Sequence, residues 1–391
     1  MFFVGNQNKA FTLEASVAKI ELHNLSSDHL IKMVEGNLEG SSDLGTTRDL
    51  YDVPSAGPTS SQSAEGSLQM GQDVFKKYPP NITPFSNHFK PSVTDYIMMG
   101  LMIPVLPIRI VLSVLCLLVA YLAGKIAIFR NPDQIVNAAP FTGWRAGCRE
   151  VILWCARGLF FAMGIQRVEF VGSSGMPDRF ASSSVAPVLI SAPHYSYLDA
   201  FISASVNITP VIKASAASAP IFGVFLKTLQ PIFVNRDKPE SRANSKEAII
   251  KRCSTEKGIW PPLLVFPEGT TGNGQCLYKF KTGAFYPGQP IQIASIEYRS
   301  CMSNWNPLIM AWDSSVPVWQ SMIFILLQPH ITARIHILPI YYPSEEEKKN
   351  PHVFAANVQQ SVADYLGIPA TDYTYENARD YVRSLRVRKR Q

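Results

Sequence analysis

The longest apolar stretch of the chain runs from Ile97 to Gly124, and Arg109 is its only charged residue. A helix that crosses a membrane needs roughly 20 apolar residues, so this stretch is long enough for one span. Pro104 and Pro107 near its middle interfere with a straight helix. A re-entrant hairpin that enters and leaves one leaflet is therefore the alternative to a full span. In either form the stretch predicts a membrane anchor, because it is too long for most core helices of soluble proteins.

The composition agrees with a membrane-associated protein. Apolar residues make up 47% of the 391 residues and charged residues only 17%, against roughly 25% charged residues in soluble domains. The net charge of +6 suits an anionic lipid surface or an anionic substrate, and it is too dispersed to predict a nucleic-acid partner. The six cysteines show no CxxC spacing, so we expect neither a metal site nor a dense disulfide framework.

The chain divides into four predicted regions. Residues 1–92 are polar and rich in Ser, Gly, Asp and Pro, and we expect them to be disordered. Residues 93–130 form the anchor, residues 131–345 a folded domain, and residues 346–391 a helical extension with a basic tail. In the folded domain short strand-like runs alternate with helical candidates, which predicts an α/β fold with a central mixed sheet flanked by helices.

Two further apolar segments leave alternatives open. The segment 151–164 carries Arg157 inside it and either lies on the membrane as an amphipathic helix or packs on the folded domain. The segment 316–327 is too short to span a bilayer. It is therefore either a core helix or a second membrane contact.

A histidine and an aspartate stand five residues apart in the segment PHYSYLD, which follows the apolar run APVLISA. Positions i and i+5 do not share a face of an ideal helix. The two side chains therefore meet only if His194 lies in a strand-to-helix turn and Asp199 in the first helical turn. A carboxylate bonded to one imidazole nitrogen fixes the tautomer and leaves the other nitrogen to accept a proton. Alone, the pair is also compatible with a helix-capping aspartate beside an incidental histidine.

A second polar cluster, FPEGTT, follows the apolar run LLV. Glu268 is a candidate acceptor for a substrate hydroxyl, Gly269 allows a ligand to approach the backbone closely, and Thr270 can bind phosphate or glycerol oxygens. An ordinary turn at the end of a strand is the alternative. Gly269 and Gly274 have the GxxxxG spacing of a P-loop, but Gln275 stands where the required lysine would be, which excludes one.

Together the two motifs resemble the HxxxxD and FPEGT signatures of the lysophospholipid acyltransferase family of glycerolipid acyltransferases. Two further blocks of that family follow the expected order, namely FVNR, which ends at Arg236, and PGQPI, which contains Pro290. The resemblance covers roughly 97–375 and is closest to the lysophosphatidylcholine and lysophosphatidylethanolamine acyltransferases. The chain departs from the family pattern at Asn235 and in QPIQIASIEY, which lacks a second proline. It has no DxDxDG loop of an EF-hand, so calcium regulation is not expected.

The resemblance implies a transfer of a fatty acyl group from acyl-CoA to the free hydroxyl of a lysophospholipid. His194 would take the proton of that hydroxyl, and Asp199 would orient the imidazole and balance its charge. The residues implied in substrate binding are Arg236, Glu268, Gly269, Thr270 and Pro290. The direct attack needs no serine or cysteine nucleophile, and the sequence has no GxSxG elbow. No cofactor is expected beyond acyl-CoA as the co-substrate.

The sequence leaves alternatives open for the function of the chain. A lysophosphatidate (1-acylglycerol-3-phosphate) acyltransferase is the second choice, and a non-catalytic lipid-binding or membrane-shaping protein is the alternative of another class. Lys213, Lys279 and Lys281 are candidate contacts for CoA or lipid phosphates, or else part of a solvated basic face. The resemblance implies the endoplasmic reticulum membrane. A slight basic excess after the anchor favours a cytosolic position for the domain that follows it.

Overall fold

The computed structural model describes residues 84–129, 139–172, 180–201, 207–235, 239–254, 259–302, 305–314 and 316–388. All of them belong to one compact unit that spans Ala64–Gln391. The disorder predicted for residues 1–83 lies outside the described residues.

Most of the described strands form the predicted central sheet. In chain order they are β1 (Ser86–Asn87), β2 (Ile165–Gly172), β3 (Val188–Ser191), β4 (Thr209–Lys213), β5 (Ile232–Val234), β6 (Leu263–Val265), β7 (Ile291–Arg299), β8 (Asp313–Ser314) and β9 (Ile331–Ile337). Seven of them join in the order β2-β9-β7-β3-β6-β4-β5. Neighbours are parallel except β7 and β9, which are antiparallel. The predicted mixed sheet is thus confirmed, although the sequence reasoning missed β4.

The helices cover the sheet and supply the apolar anchor. They are α1 (Val93–Met102), α2 (Leu106–Ala127), α3 (Gly143–Ala162), α4 (Phe222–Thr228), α5 (Pro239–Ser254), α6 (Val318–Leu326), α7 (Glu345–Lys349), α8 (Pro351–Leu366) and α9 (Tyr375–Arg388). Local signals explain their ends. Ser92 and Asp95 form a capping box at the start of α1, and Gly367 ends α8 in the left-handed conformation with a φ of 67°, which glycine adopts without strain.

The prolines of the anchor do not reverse the chain. Pro104 lies in the short 3₁₀ turn Ile103–Val105 and Pro107 in the first turn of α2. A proline in the first turn of a helix loses no hydrogen bond, since that N–H has no intrahelical partner. The helical stretch Val93–Ala127 is, within the described part of the chain, the one long and apolar enough to cross a membrane.

The single charge of this stretch is satisfied by the folded domain. Nη1 of Arg109 donates to the carbonyl oxygens of Leu326 and Gln328, both at 2.6 Å, and Nη2 donates to that of Pro329 at 3.3 Å. These carbonyls lie at the C-terminal end of α6, where a positive charge is favourable. Near the other end of α2, Gly124 lies against the side chain of Val224 on α4. The helix therefore lies along the domain rather than projecting from it.

Helix α3 confirms that the segment 151–164 packs on the folded domain. Ile152 and Leu153 are buried, Ile152 against Ala120 and Ala123 of α2. On the outward side Trp144, Trp154 and Phe161 are exposed. The helix thus packs on the domain through one face and presents an apolar second face.

The structure revises both outer domain boundaries. Residues 84–92 were assigned to the disordered region, yet β1 pairs with β8, and Phe85 is buried among Tyr278, Tyr373 and Tyr381. Chain entropy is overcome here because an aromatic side chain is fully buried. At the other end, Phe354 and Val358 of α8 are buried in the same core cluster as Val188. The C-terminal extension is therefore an integral part of the core.

Candidate active site

His194 and Asp199 meet in the way the sequence requires. Strand β3 ends at Ser191, His194 lies in the turn that follows, and Asp199 lies in the 3₁₀ helix Tyr197–Phe201. Nδ1 of His194 is 2.8 Å from Oδ2 of Asp199. Because a carboxylate only accepts, Nδ1 carries the proton of this bond, and Nε2 is left as the basic nitrogen.

Asp199 is fully buried and is held by several donors. Its Oδ2 also accepts the backbone N–H groups of Tyr195 at 2.6 Å and Ser196 at 3.0 Å. Its Oδ1 accepts the hydroxyl of Tyr298 at 2.8 Å. A buried carboxylate is costly unless it is paired and hydrogen-bonded. These donors therefore keep Asp199 in place as an acceptor for His194.

The imidazole ring is fixed by the second motif. Phe266 stacks on the ring of His194, with the centroids 4.1 Å apart and an angle of 21° between the planes. Phe266 follows β6, the parallel neighbour of β3. Parallel neighbours end at the same edge of a sheet, which explains how residues more than seventy positions apart in sequence form one site. The His194 side chain keeps 13% of its surface exposed.

Glu268 contacts the backbone rather than open space. It is 3% exposed, its Oε2 accepts the N–H of His194 at 2.7 Å, and its Oε1 accepts the N–H of Tyr278 at 2.8 Å. Burial raises the pKa of Glu268 to about 8, against the opposing effect of the two N–H donors. The carboxylate of Glu268 therefore holds the turn of His194, and its expected contact with a substrate hydroxyl stays a prediction.

The two residues after Glu268 lie at the site and have different neighbours. Gly269 has a φ of 68°, and a Cβ there would lie 3.1 Å from Cδ and Cε of Lys281. Lys281 is therefore the candidate lysine that reaches this loop. Thr270 accepts a hydrogen bond from the indole Nε1 of Trp312 at 2.8 Å, which orients its hydroxyl oxygen.

The GxxxxG spacing has a packing explanation. Gly274 has a φ of 76°, and a Cβ there would overlap the ring of Tyr195. Tyr195 follows His194 directly, so the loop after FPEGT packs closely on the HxxxxD turn. Only glycine meets both the conformation and the spacing at this position.

One predicted binding residue lies away from the site, and another falls outside the described residues. Pro290 precedes β7, and the register pairs Ile291 with Val188 at the start of β3. It therefore lies at the edge of the sheet opposite His194, which contradicts a direct contact with the same substrate group. Arg236 lies outside the described residues, although β5, which precedes it, ends at the His194 edge of the sheet.

Tyr298 is the site residue that the sequence reasoning missed. Ala294 of β7 pairs with Ser191 at the end of β3, and Tyr298 comes four residues later on the same strand. Strand β7 therefore extends past β3 and over the turn that carries Asp199. The sequence did contain one signal, an aromatic residue with a hydroxyl group near the carboxyl end of a predicted strand. The order of the strands in the sheet, which places this residue beside Asp199, could not be read from the sequence.

The fold and the site together define an acyltransferase domain. Residues 168–293 match the family model described as Acyltransferase, so the chain contains a domain of that family. The resemblance to lysophospholipid acyltransferases is confirmed by the curated relatives. The chain is 32% identical to lysophosphatidylcholine acyltransferase 1 of Homo sapiens over 83% of this chain and 57% of the relative. It is 36% identical to lysophosphatidylcholine acyltransferase 2 of Homo sapiens over 70% and 48%.

The chain spans about half the length of these curated relatives. A solved structure, that of the 1-acyl-sn-glycerophosphate acyltransferase from Thermotoga maritima, covers 65% of this chain and 97% of its own. Its TM-score is 0.34 at 16% sequence identity, too distant a likeness to extend the comparison.

Proposed function

We propose that the chain is a membrane-bound O-acyltransferase that transfers a fatty acyl group from acyl-CoA to a lysophospholipid. The preferred acceptors are lysophosphatidylcholine and lysophosphatidylethanolamine. The observation that carries the proposal is the 2.8 Å contact between Nδ1 of His194 and Oδ2 of Asp199. The printed names of the curated relatives support the acceptor class.

The chemistry follows from this contact. The hydroxyl oxygen of the lysophospholipid attacks the carbonyl carbon of the thioester while Nε2 of His194 takes the hydroxyl proton. The carboxylate of Asp199 stabilises the imidazolium that forms. The C–S bond then breaks, the imidazolium returns the proton to the sulfur, and the products are the diacyl phospholipid and the free thiol of CoA.

The anchor in this proposal lies in one leaflet. Contacts with the folded domain occur at Arg109 and again at Gly124, positions about 22 Å apart along a helix with a rise of 1.5 Å per residue. A helix that crossed a hydrocarbon core of about 30 Å would leave the domain at one end. The apolar faces of α2 and α3 instead enter the membrane from the side on which the domain lies.

Aromatic and basic side chains on α3 support a position of the anchor in one leaflet, near the membrane surface. The guanidinium of Arg145 lies 4.4 Å from the ring centre of Trp144, and that of Arg157 lies 4.8 Å from the ring of Trp154. Both tryptophans are exposed on α3. Trp and Arg together are typical of the interface between lipid and water. The proposed compartment is the endoplasmic reticulum, with the catalytic domain facing the cytosol, where acyl-CoA is present.

The test is the release of CoA thiol by the purified chain in phospholipid vesicles. Acyl-CoA is supplied with lysophosphatidylcholine, lysophosphatidylethanolamine or lysophosphatidate in separate reactions, and the lipid product is identified by mass. We expect thiol release that depends on the first two acceptors. Preference for lysophosphatidate would overturn the acceptor assignment, and folded protein inactive with every acceptor would overturn the enzymatic function.

A further inference from the structure

The hydroxyl of Tyr298 lies 2.8 Å from Oδ1 of Asp199, although the two residues are 99 positions apart in sequence. The two oxygens of this carboxylate have different partners. Oδ2 accepts from His194 and from the turn that follows it. In the described part of the chain, Tyr298 is the donor that reaches Oδ1.

The direction of this bond is fixed by its chemistry. A carboxylate accepts, so the phenol donates. Burial, followed by the charge of Asp199, holds the pKa of Tyr298 well above its usual value, so the hydroxyl keeps its proton. The phenol is thus a permanent donor to a carboxylate that has no exposed surface.

Tyr298 is itself held by the sheet. It pairs with Ala333 of β9, and its carbonyl accepts a hydrogen bond from Nδ2 of Asn306 at 3.0 Å. The centroid of its ring lies 6.4 Å from that of Tyr195. Asp199, in contrast, lies in a short 3₁₀ turn. The Tyr298 hydroxyl therefore connects the carboxylate of the turn to the rigid sheet, as a supporting group does in a well-fixed site.

We propose that Tyr298 is a positioning residue for acyl transfer, whose bond to Oδ1 fixes the Asp199 carboxylate and sets how readily His194 takes the proton of the acceptor hydroxyl. The inference rests on the proposed function, in which His194 is the base. A hydrogen bond donated to a buried carboxylate stabilises its charged form. Without that bond the charged form of the Asp199 carboxylate is less stabilised, so the pair that it forms with His194 binds a proton more strongly. A pair that already holds this proton cannot accept the one from the acceptor.

The test compares the wild type with Tyr298→Phe in the vesicle assay. The variant loses the bond that fixes the Asp199 carboxylate, so we expect kcat to fall about 10- to 100-fold. The KM values for lysophosphatidylcholine and acyl-CoA should stay within about 2-fold, because Tyr298 acts through Asp199. The acid limb of the kcat profile should move to higher pH by about one unit.

Tyr341→Phe is the matched control. The hydroxyl of Tyr341 donates to Oε1 of Glu347 at 2.7 Å, and Glu347 is also a buried carboxylate. This variant removes the same kind of bond outside the site. It should lose stability to a similar degree while its pH profile stays in place.

A second variant keeps the test decisive if Tyr298→Phe does not fold. Site-specific 3-fluorotyrosine at position 298 keeps the ring and the hydroxyl but donates a stronger hydrogen bond, so the acid limb should move to lower pH. An acid limb that stays in place in each folded variant would overturn the positioning role. A wild type inactive with every lysolipid would instead overturn the proposed function, and with it this inference.

Discussion

The carboxylate of Glu268 accepts the backbone N–H of His194 at 2.7 Å and that of Tyr278 at 2.8 Å. The acidic residue of one motif thereby fixes the main chain of the other, across 74 positions of sequence. Each of the two short segments alone is weak evidence for a site. In the structure they are joined by hydrogen bonds at one edge of the sheet.

Replacement of this carboxylate should lower turnover rather than acceptor affinity. Both oxygens of a carboxyl group keep a lone pair whether or not the group is protonated, whereas the amide nitrogen of Gln cannot accept an N–H. In Glu268→Gln one of the two backbone bonds is therefore lost, and the turn of His194 shifts. Misplacement of a catalytic group by about 1 Å costs on the order of 100-fold in rate. We expect kcat to fall at least about 10-fold while the KM for lysophosphatidylcholine changes by less than about 2-fold, as steady-state kinetics would show.

The matched control for this variant is Glu347→Gln. Glu347 is buried and accepts the N–H of Ser344 at 2.7 Å, but it lies on α7, away from His194. It should keep wild-type kcat once corrected for folded protein. A raised lysolipid KM with unchanged kcat in Glu268→Gln would mean instead that Glu268 touches the substrate.

Glu268 also predicts a pH dependence of stability. Its pKa in the fold is about 8, raised from 4.5 by burial. Between these values the folded state holds a proton that the unfolded state has lost, so the contribution of this group to stability falls as pH rises through the window. The Tm of the wild type should therefore fall relative to the Tm of Glu268→Gln as the pH rises from about 5 to about 9. A constant difference in thermal scans over this range would contradict the assigned pKa.

Two truncations should differ sharply. Deletion of residues 2–78 leaves β1 and Phe85 in place, and we expect the Tm and kcat of the remaining chain to stay near wild type. Deletion of residues 2–90 removes Phe85, which is 1% exposed, and truncation of a buried Phe costs about 3–5 kcal/mol. Thermal scans and the vesicle assay would show the loss. Equal stability of the two truncated chains would contradict the placement of residues 84–90.

The sidedness of the membrane contact predicts the glycosylation pattern. The sequence contains the Asn-X-Ser/Thr glycosylation sequon at Asn24, Asn81 and Asn207. A one-leaflet anchor leaves all three on the side of the catalytic domain, so endoglycosidase should not change the mobility of the chain from cells. A version with an added cleavable signal sequence serves as the positive control. Glycosylation at Asn24 or Asn81 in the unaltered chain would show that the anchor crosses the membrane. Glycosylation at Asn207 would contradict the cytosolic position of the catalytic domain.

The elements that depend on local pattern could be predicted from the sequence. Strands β3 and β6 are apolar runs buried on both faces, and the glycine and prolines around them set clear limits. The meeting of His194 and Asp199 also followed, because the five-residue spacing allows it in only one way. Strand β4 was missed because Pro210 and Lys213 make it a poor match to an apolar strand pattern.

The parts that depend on long-range register could not be predicted. Tyr298 reaches Asp199 only because β7 lies beside β3 and extends past it. Phe85 stands in a polar stretch, and its burial requires three tyrosines from distant segments. The two backbone contacts of Glu268 could not be predicted either, because a motif specifies a residue type but not its burial.

The most direct test of the central claim is the kcat of His194→Ala in the vesicle assay with acyl-CoA and lysophosphatidylcholine. His352→Ala is the control, since His352 is exposed on α8. General-base catalysis contributes about 10²–10⁴-fold, so the account predicts a loss of this size for His194→Ala, with an unchanged Tm and with wild-type turnover in the control. A folded His194→Ala chain with turnover near wild type would contradict the assignment of His194 as the base.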